Sequence, residues 1–178
     1  MSSEEHKKGA RKNLKYGIIT VSTSRHNNSS SKINVPEQVD DLSGEILWKK
    51  VEGGGGKVVF YKIIPDDVGK IKDTLEDALG NNIDVILING GTGLSKKDLT
   101  IETVEKMYEK KIDGFGEIFR YISFKDIGSP AILSRASGGV IGEKVIFAIP
   151  GSPKAAGLAM DELILKEAGH IVKHLEEN

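Results

Sequence analysis

The stretch LINGGTGLSKKDLT, residues 87–100, passes from a buried-strand pattern to the start of a helix. Its central turn holds three glycines around one threonine: Gly90, Gly91, Thr92 and Gly93. Glycine weakens regular structure because it has more backbone freedom to lose, so this cluster needs a physical reason. One reason is a strand-to-helix turn followed by helix capping. The other is a cradle whose backbone N–H groups converge on a phosphate, and the stretch alone leaves both open.

Four short runs rich in Ile and Val predict β-strands, at residues 16–22, 57–64, 84–89 and 144–149. Runs that are apolar almost throughout are typical of parallel strands covered on both faces. The last run can pair with residues 138–141, because Gly142 supplies the positive φ of a two-residue hairpin. We therefore expect a mostly parallel sheet with a small C-terminal β-hairpin.

Apolar residues at helical spacing predict helices between these strands, at residues 41–52, 68–79, 100–107, 115–127 and from the PGSPK segment to the C-terminus. The first of these ends in the glycine run 53–56, and Asp66 or Asp67 can cap the second. The order β-α-β-α-β-α-α-β-β-α is typical of an α/β domain and predicts a three-layer αβα sandwich. We expect one domain over residues 16–178, preceded by a disordered, charged tail at residues 1–15.

The composition excludes several kinds of protein. The chain has 178 residues, a formal net charge of −1 and no cysteine. Such a balance gives no global field that attracts nucleic acid or acidic membranes. Without cysteine there are no disulfides, thiolate zinc sites or cysteine nucleophiles. Because the N-terminus lacks the apolar segment of a signal peptide and no run approaches the roughly 18 apolar residues that span a bilayer, we expect a cytoplasmic protein.

Polar residues follow each predicted parallel strand, at the sheet edge where ligands bind in open α/β folds. Ser22 and Thr23 follow the first strand, residues 65–67 (Pro-Asp-Asp) follow the second, and GGTG (90–93) with Lys97 follows the third. Their convergence on one edge is a stronger sign of a ligand site than any one motif. We predict that these residues bind a phosphorylated substrate, with Thr92 adding a hydroxyl and Lys97 a positive charge.

PGSPK, residues 150–154, follows the last strand and is a second possible anion site. A glycine turn that leads into a helix leaves unpaired N–H groups and a positive dipole end, and Lys154 adds charge. A purely structural interpretation, with Ser152 as the N-cap and Pro153 in the first turn, explains the segment equally well. Only its place at the same sheet edge favours a ligand.

Asp66 and Asp98 are the candidate metal ligands. They lie on loops after the second and third strands, which we expect to be neighbours in the sheet. Two carboxylates facing a phosphate pocket would repel the anion unless a cation lay between them. Mg²⁺ is the natural cation, because it binds one or two carboxylates together with substrate phosphates. The structural alternatives are a helix cap for Asp66 and a local turn residue for Asp98.

Familiar nucleotide motifs and protein nucleophiles are missing. A P-loop requires Gly-Lys followed by Ser or Thr, and a dinucleotide fingerprint requires a third glycine where Lys96 stands. None of the histidines completes a Ser-His-Asp set, since His6 is in the tail, His26 is in a polar loop, and His170 and His174 share a face of the C-terminal helix. The chemistry at this edge therefore needs no protein nucleophile.

The same segments resemble the MogA/MoaB family of molybdenum cofactor biosynthesis proteins, a domain that also forms the G domain of gephyrin. The matching motifs, in chain order, are TVS (20–22), DLSG (41–44), IPDD (64–67), GGTGLSKKDLT (90–100), GFGEIFR (114–120), LSRASGG (133–139) and PGSPKA (150–155). They span nearly all of the chain from Tyr16 onward. The resemblance, closest to MoaB, implies a Rossmann-like α/β fold and a molybdopterin-binding domain.

The resemblance implies an activity: molybdopterin adenylyltransferase, which transfers AMP from Mg-ATP to the terminal phosphate of molybdopterin and releases pyrophosphate. It makes Asp66 and Asp98 the essential, metal-binding carboxylates, and the GGTG loop with Thr92 the phosphate-holding element. Contacts with the pterin substrate are implied at four residues: Ser134, Ser137, Gly151 and Ser152. Asp41 is a weaker candidate for the same pocket.

The resemblance also implies binding partners, and the chain departs from the family pattern at three places. The partners are molybdopterin, ATP, further copies of the chain in a homotrimer or homohexamer, and a downstream metal-insertion protein. Lys97 stands where the family usually has Arg, and lysine lacks the bidentate fork of the guanidinium. Thr23 replaces a frequent Asp or Asn, and the Asn/Ser-rich loop 26–32 has no counterpart in the family pattern.

These departures keep two other functions open, because membership of a fold does not settle catalysis. The first is a non-catalytic oligomer that holds molybdopterin for partner enzymes of the same pathway. The second is a nucleotide-phosphate hydrolase that uses the same Mg²⁺ pocket.

Overall fold

The computed structural model describes residues 9–28 and 34–177. Its strands are β1 (Lys15–Val21), β2 (Lys57–Ile64), β3 (Val85–Asn89), β4 (Lys110–Lys111), β5 (Ser137–Ile141) and β6 (Lys144–Ile149). Its α-helices are α1 (Thr23–Asn27), α2 (Leu42–Gly53), α3 (Val68–Leu79), α4 (Thr100–Val104), α5 (Asp113–Ile127), α6 (Pro153–Ala159) and α7 (Leu165–Glu176). Short 3-10 helices cover Pro36–Val39 and Ser129–Leu133, and a π-helical turn, Met160–Ile164, joins α6 to α7.

One six-stranded sheet, in the order β2-β1-β3-β6-β5-β4, forms the middle layer. The strands β2, β1, β3 and β6 are parallel, and β5 and β4 continue the sheet in antiparallel pairing. The predicted hairpin is confirmed, since β5 and β6 are joined through Gly142 at a φ of 56°. The expectation that the second and third strands are neighbours is wrong, because β1 lies between them.

Helices cover both faces of the sheet, which confirms the predicted three-layer α/β fold. Along each parallel strand, successive side chains point to opposite faces. Leu87 and Phe147 therefore pack with α2, α5, α6 and α7 on one face, whereas Ile86 and Ile88 pack with α3 and α4 on the other. The continuously apolar sequence of these strands thus reflects burial on both sides.

The N-terminal segment packs on the domain from before Tyr16. The Arg11 N–H donates to the carbonyl of Gly169 at 3.0 Å, and Leu14 is 5% exposed. A side chain at Gly169 would meet the Arg11 carbonyl at 2.5 Å, so the segment lies directly against α7. Residues 9–15 of the tail predicted to be disordered are therefore part of the packed structure, with Lys15 as the first residue of β1, and residues 1–8 of that tail lie outside the described residues.

Several boundaries differ from the predicted ones. Asp67, rather than Asp66, caps α3, since its Oδ1 accepts from the Lys70 N–H at 2.9 Å. The helix α4 begins at Thr100 and ends at Val104, three residues before the predicted end at residue 107. No side-chain hydrogen bond caps its N-terminus. Part of the loop 26–32 belongs to α1, and its residues 29–32 are outside the described ranges. Within residues 9–28 and 34–177, no helix has both the length and the apolar character to cross a membrane.

Asp41, a candidate for the substrate pocket, is instead a buried structural residue. Its carboxylate is fully buried and accepts hydrogen bonds from the hydroxyls of Thr20 at 2.6 Å and Tyr61 at 2.8 Å. It also accepts from Ser43 and from the Gly44 N–H, both at 3.1 Å, which caps α2. A buried carboxylate is tolerated only when donors of this kind surround it.

Burial, reinforced by the Asp41 carboxylate, raises the pKa of the Tyr61 hydroxyl well above its usual value, so this hydroxyl keeps its proton and remains a donor. The carboxylate therefore joins β1, β2 and the first turn of α2.

We predict that Asp41→Ala lowers the free energy of unfolding by about 3 kcal/mol, because it leaves buried donors of Thr20, Tyr61 and the α2 N-terminus without their acceptor. Urea unfolding followed by circular dichroism measures the change. Asp73→Ala, on the exposed side of α3, is the matched control and should change stability by less than about 0.5 kcal/mol. Equal stability of the two variants would contradict the structural role of Asp41.

Gly90 lies where the ends of three parallel strands meet. Its N–H donates to the Ile149 carbonyl at 3.0 Å, and its φ is 97°. A Cβ at Gly90 would lie 2.4 Å from the Val21 carbonyl oxygen, and a Cβ at Gly151 would lie 3.0 Å from the Gly90 Cα. The backbone of β1, β3 and β6 is therefore packed too closely here for any side chain.

Gly90→Ala should lower the free energy of unfolding by about 3 kcal/mol, because both the positive φ and the close Val21 oxygen oppose a Cβ. The control is Gly114→Ala, at the start of α5, where an added Cβ meets nothing within 4 Å. That variant should stabilise the protein by about 0.5 kcal/mol through helix propensity. Chemical unfolding of both variants tests the difference, and a Gly90→Ala protein as stable as the wild type would refute the packing argument.

Candidate active site

A crevice of about 500 Å³ lies at the carboxyl edge of the parallel strands. The structure brings together there most of the residues predicted for substrate or metal: Ser22, Thr23, Asp66, Gly90, Gly91, Thr92, Gly93, Lys97, Asp98, Ser134 and Gly151. They come from the loops after β1, β2, β3 and β6 and from the segment before β5. The order of the strands, which places β1 between β2 and β3, makes one site of these separate loops.

Thr23 fixes the Asp66 carboxylate at one side of the crevice. The Oδ2 atom of Asp66 accepts from the Thr23 N–H at 3.0 Å and from its hydroxyl at 2.7 Å. The Thr23 hydroxyl in turn accepts from the Asp66 N–H at 3.0 Å. The other oxygen, Oδ1, lies 3.1 Å from where a Cβ on Gly91 would be. The carboxylate is thus held by Oδ2 while Oδ1 faces the glycine loop.

Asp98 is held against the same loop from its other end. Its Oδ2 accepts from the Ser95 N–H at 2.9 Å, which closes a local turn. A Cβ on Gly93 would lie 2.8 Å from this oxygen, so only glycine leaves room for the carboxylate there. The turn predicted for Asp98 and its place in the crevice are therefore both present. The two carboxylates lie against the glycine loop, one beside Gly91 and one beside Gly93.

The carbonyl oxygens of the three glycines in the loop are paired within the protein. The Thr100 hydroxyl donates to the Gly90 carbonyl at 2.8 Å, and the Thr100 N–H donates to the Gly91 carbonyl at 2.9 Å. The Gly93 carbonyl accepts from Arg135 at 2.8 Å. These hydrogen bonds fix the conformation of the loop. The loop N–H groups are the backbone groups that can bind an anion, as in backbone nests. Thr100, the first residue of α4, therefore also holds the glycine loop in place.

Arg135 is a lining residue that the sequence analysis did not single out. Its guanidinium donates to the Gly93 carbonyl and pairs with Glu102 at 2.5 Å. Partial burial would raise the pKa of Glu102, but the hydrogen bond from Arg135 lowers it below its usual value, so the pair is ionic. The sequence motif LSRASGG pointed to this residue, because it contains Arg135 beside the predicted Ser134 and Ser137.

The other unpredicted lining residues have little local signal. Val21 ends β1, Leu133 ends a 3-10 helix and Pro150 follows β6, while Ser24 belongs to α1. Their side chains carry no pattern that points to a ligand in the sequence. They line the crevice only because the strands that precede or follow them end at the same edge.

Besides Asp41, three predicted residues lie outside the crevice lining. The buried Ser137 hydroxyl donates to Glu105 at 2.8 Å, in a neighbouring polar cavity that also includes Arg135. Ser152 caps α6 through the Ala155 N–H at 3.2 Å, as its structural interpretation predicted. Lys154 is exposed and pairs with Asp126 at 2.9 Å. Each of these three side chains therefore already has a protein partner.

The donor set of the crevice fits Mg²⁺. The carboxylates of Asp66 and Asp98 supply oxygen ligands, which Mg²⁺ prefers, and Lys97 and Arg135 supply positive charge for phosphates. Across residues 9–28 and 34–177, no group of three or more His, Cys, Asp or Glu side chains is placed to hold a metal ion. A cation here would therefore share its coordination with ligand phosphates and water, as Mg²⁺ commonly does.

The chain is similar to known proteins along nearly its whole length. A family model described as "Probable molybdopterin binding domain" matches residues 17–170. Molybdenum cofactor biosynthesis protein B of Bacillus cereus is 44% identical over 181 residues, which cover 98% of each chain. A probable molybdopterin adenylyltransferase of Methanocaldococcus jannaschii is 40% identical, with 93% of this chain and 96% of the relative covered.

Solved structures agree with this similarity. A crystal structure of Molybdenum cofactor biosynthesis protein B has a TM-score of 0.84 at 42% identity and covers 95% of this chain and 99% of its own. The tungsten cofactor synthesizing protein MoaB from Pyrococcus furiosus has a TM-score of 0.81 at 34% identity and covers 93% and 98%. Because the family model spans most of the chain and the relatives exceed 30% identity over almost all of it, the protein belongs to the molybdopterin-binding domain family of molybdenum cofactor biosynthesis proteins.

Proposed function

We propose that this protein is a molybdopterin adenylyltransferase that transfers AMP from Mg-ATP to the terminal phosphate of molybdopterin. The observation that carries the proposal is the pair of carboxylates, Asp66 and Asp98, placed beside Gly91 and Gly93 of one phosphate-cradling loop. Relatives named molybdopterin adenylyltransferase support it, namely the Methanocaldococcus jannaschii protein and a Pyrococcus furiosus protein that is 36% identical over 181 residues.

The reaction needs no nucleophile from the protein, which agrees with the side chains of the crevice. An oxygen of the molybdopterin terminal phosphate attacks the α-phosphorus of ATP. The bond between the α-phosphorus and the oxygen that bridges to the β-phosphate breaks, and pyrophosphate leaves with the electron pair. The protein has to align two anions in line and neutralise their charge.

The two carboxylates would hold Mg²⁺ that enters with ATP. Thr23 keeps Asp66 from rotating, and the Ser95 N–H does the same for Asp98, so both oxygen ligands are positioned before substrate arrives. When bound, Mg²⁺ supplies charge neutralisation at the phosphates. Because Thr23 performs this positioning, its presence in place of Asp or Asn is compatible with catalysis.

The remaining charge comes from the chain itself. The N–H groups of Gly91, Thr92 and Gly93 would bind phosphate oxygens, and Lys97 would pair with them as a flexible point charge. Arg135, already anchored to Gly93 and Glu102, would add the charge of its guanidinium beside the glycine loop. Except for the flexible Lys97, these groups are held in place before the substrates bind, which is what electrostatic catalysis requires.

Purified protein incubated with molybdopterin, ATP and Mg²⁺ should form adenylylated molybdopterin and release one pyrophosphate for each product. Molybdopterin binding without any ATP-dependent product would favour the non-catalytic oligomeric carrier instead. Phosphate release from ATP in the absence of molybdopterin would favour the hydrolase. Product analysis by mass spectrometry separates the three outcomes.

We predict that Asp98→Asn lowers kcat at least about 100-fold, because the amide keeps the shape but removes the charge that holds Mg²⁺. The Ser95 contact and the fold should survive, so the urea midpoint and molybdopterin binding should change little. The exposed Asp73→Asn is the control and should retain full activity. An Asp98→Asn enzyme with normal turnover would remove Asp98 from the catalytic machinery.

Thr23→Val should lower kcat about tenfold, which corresponds to about 1.4 kcal/mol, because Asp66 loses the hydroxyl that orients it. Higher Mg²⁺ should restore part of the rate, since the loosened carboxylate still carries its charge. The buried Thr74→Val on α3 makes the same chemical change away from the crevice and should leave kcat unaltered. Equal rates for both variants at every Mg²⁺ concentration would show that Asp66 needs no support from Thr23.

A further inference from the structure

Two histidines on the last helix form a pair that the proposed reaction does not use. His170 and His174 are four residues apart on α7, so they lie on the same face of the helix. Their Nε2 atoms are 2.9 Å apart, and their ring centroids are 4.6 Å apart. Both rings therefore present a nitrogen to the same point at the surface of α7.

Each imidazole also faces a carboxylate on its other nitrogen. The Nδ1 of His170 lies 3.7 Å from Glu167, and the Nδ1 of His174 lies 3.8 Å from Glu177. The two Nε2 atoms are within hydrogen-bond distance, so one ring donates to the other. A proton on each Nδ1 would instead face a carboxylate and turn both Nε2 lone pairs toward a metal.

A cation between the two Nε2 atoms can take the place of this hydrogen bond, because both nitrogens already converge on one point. From this geometry we propose that His170 and His174 chelate a divalent transition metal ion, with Zn²⁺ as the best fit. Zn–N bonds of about 2.0–2.1 Å in tetrahedral geometry require the nitrogens to separate to roughly 3.3 Å. Small rotations of the two side chains provide that separation. Glu167 and Glu177 would then orient the ligating rings, as carboxylates do around other histidine metal sites.

This site differs in chemistry from the crevice. Imidazole nitrogen suits Zn²⁺, Cu²⁺ and Ni²⁺, whereas Mg²⁺ takes oxygen ligands. The pair supplies two protein ligands, and water completes the coordination, which agrees with the finding that the described residues contain no group of three such side chains. We therefore expect binding that is weaker than at a structural zinc site with four protein ligands, and selective against Mg²⁺.

A metal at this position on α7 would also affect the packing of the N-terminal segment. Nearby on the same helix, Gly169 accepts the hydrogen bond from the Arg11 N–H, and Glu176 pairs with the Arg11 guanidinium. A chelate that spans one turn of α7 would hold the turn against which the N-terminal segment packs. Because only the folded helix keeps the two histidines at this spacing, the metal binds the native state preferentially and raises its stability.

The test is thermal unfolding of the full chain with Zn²⁺ or Mg²⁺, in the absence of nucleotide. At a Zn²⁺ concentration about 100-fold above its dissociation constant, we expect the midpoint to rise by about 5 °C, with a much smaller effect of Mg²⁺. The double variant His170→Ala/His174→Ala should lose the rise. His26→Ala removes a histidine far along the chain and should keep it, and Asp98→Asn should keep it because the crevice is a separate site.

A rise that survives in the double variant, or that disappears in Asp98→Asn, would overturn the proposal. His174→Gln provides a second test, because His174 is exposed and the variant should fold even if the double variant does not. In electron paramagnetic resonance of protein with one equivalent of Cu²⁺, the wild type should show hyperfine coupling to two imidazole nitrogens and His174→Gln should lose one. An unchanged spectrum would place the metal elsewhere. Neither readout depends on adenylyl transfer, so the two proposals fail independently.

Discussion

The close approach of three strand ends at Gly90 is the constraint on which the rest of the site depends. The Val21 carbonyl, the Ile149 carbonyl and Gly151 all meet the backbone of Gly90, and no Cβ fits between them. This contact holds the loops after β1, β3 and β6 close together at the base of the crevice. A side chain at Gly90 would separate the loops, and the crevice would lose its depth.

Two polar networks fix the positions of the loops around this contact. Thr20 donates to Asp41 and accepts from Asn89, so the buried carboxylate under α2 is linked to the last residue of β3. Thr100 clamps the carbonyls of Gly90 and Gly91 from the other direction. Because buried polar groups are strongly destabilising unless they are paired, these networks specify one arrangement of the loop. The rigidity of the glycine loop follows from that pairing.

The crevice balances opposite charges on rigid supports. Asp66 and Asp98 stand beside the glycine loop, while Lys97 and Arg135 line the same space. The carboxylates suit a divalent cation and the basic groups suit phosphate, which is the combination that the proposed Mg-nucleotide complex requires. The histidine pair on α7 uses nitrogen ligands instead, and this difference in donor atoms would keep the two kinds of cation apart.

The sequence by itself determined the parallel strands, the hairpin, the helix cap at Ser152, and the loops at one sheet edge, because these follow from local periodicity and turn chemistry. It also singled out Asp66, Asp98 and the glycine loop. Only the tertiary structure decided that β1 separates β2 from β3, that Asp41 is buried beneath α2, and that Arg135 reaches the crevice. Those outcomes depend on contacts between residues far apart in the chain, such as Arg135 with Gly93 and Thr23 with Asp66, and no local pattern encodes which distant partner a polar side chain will find.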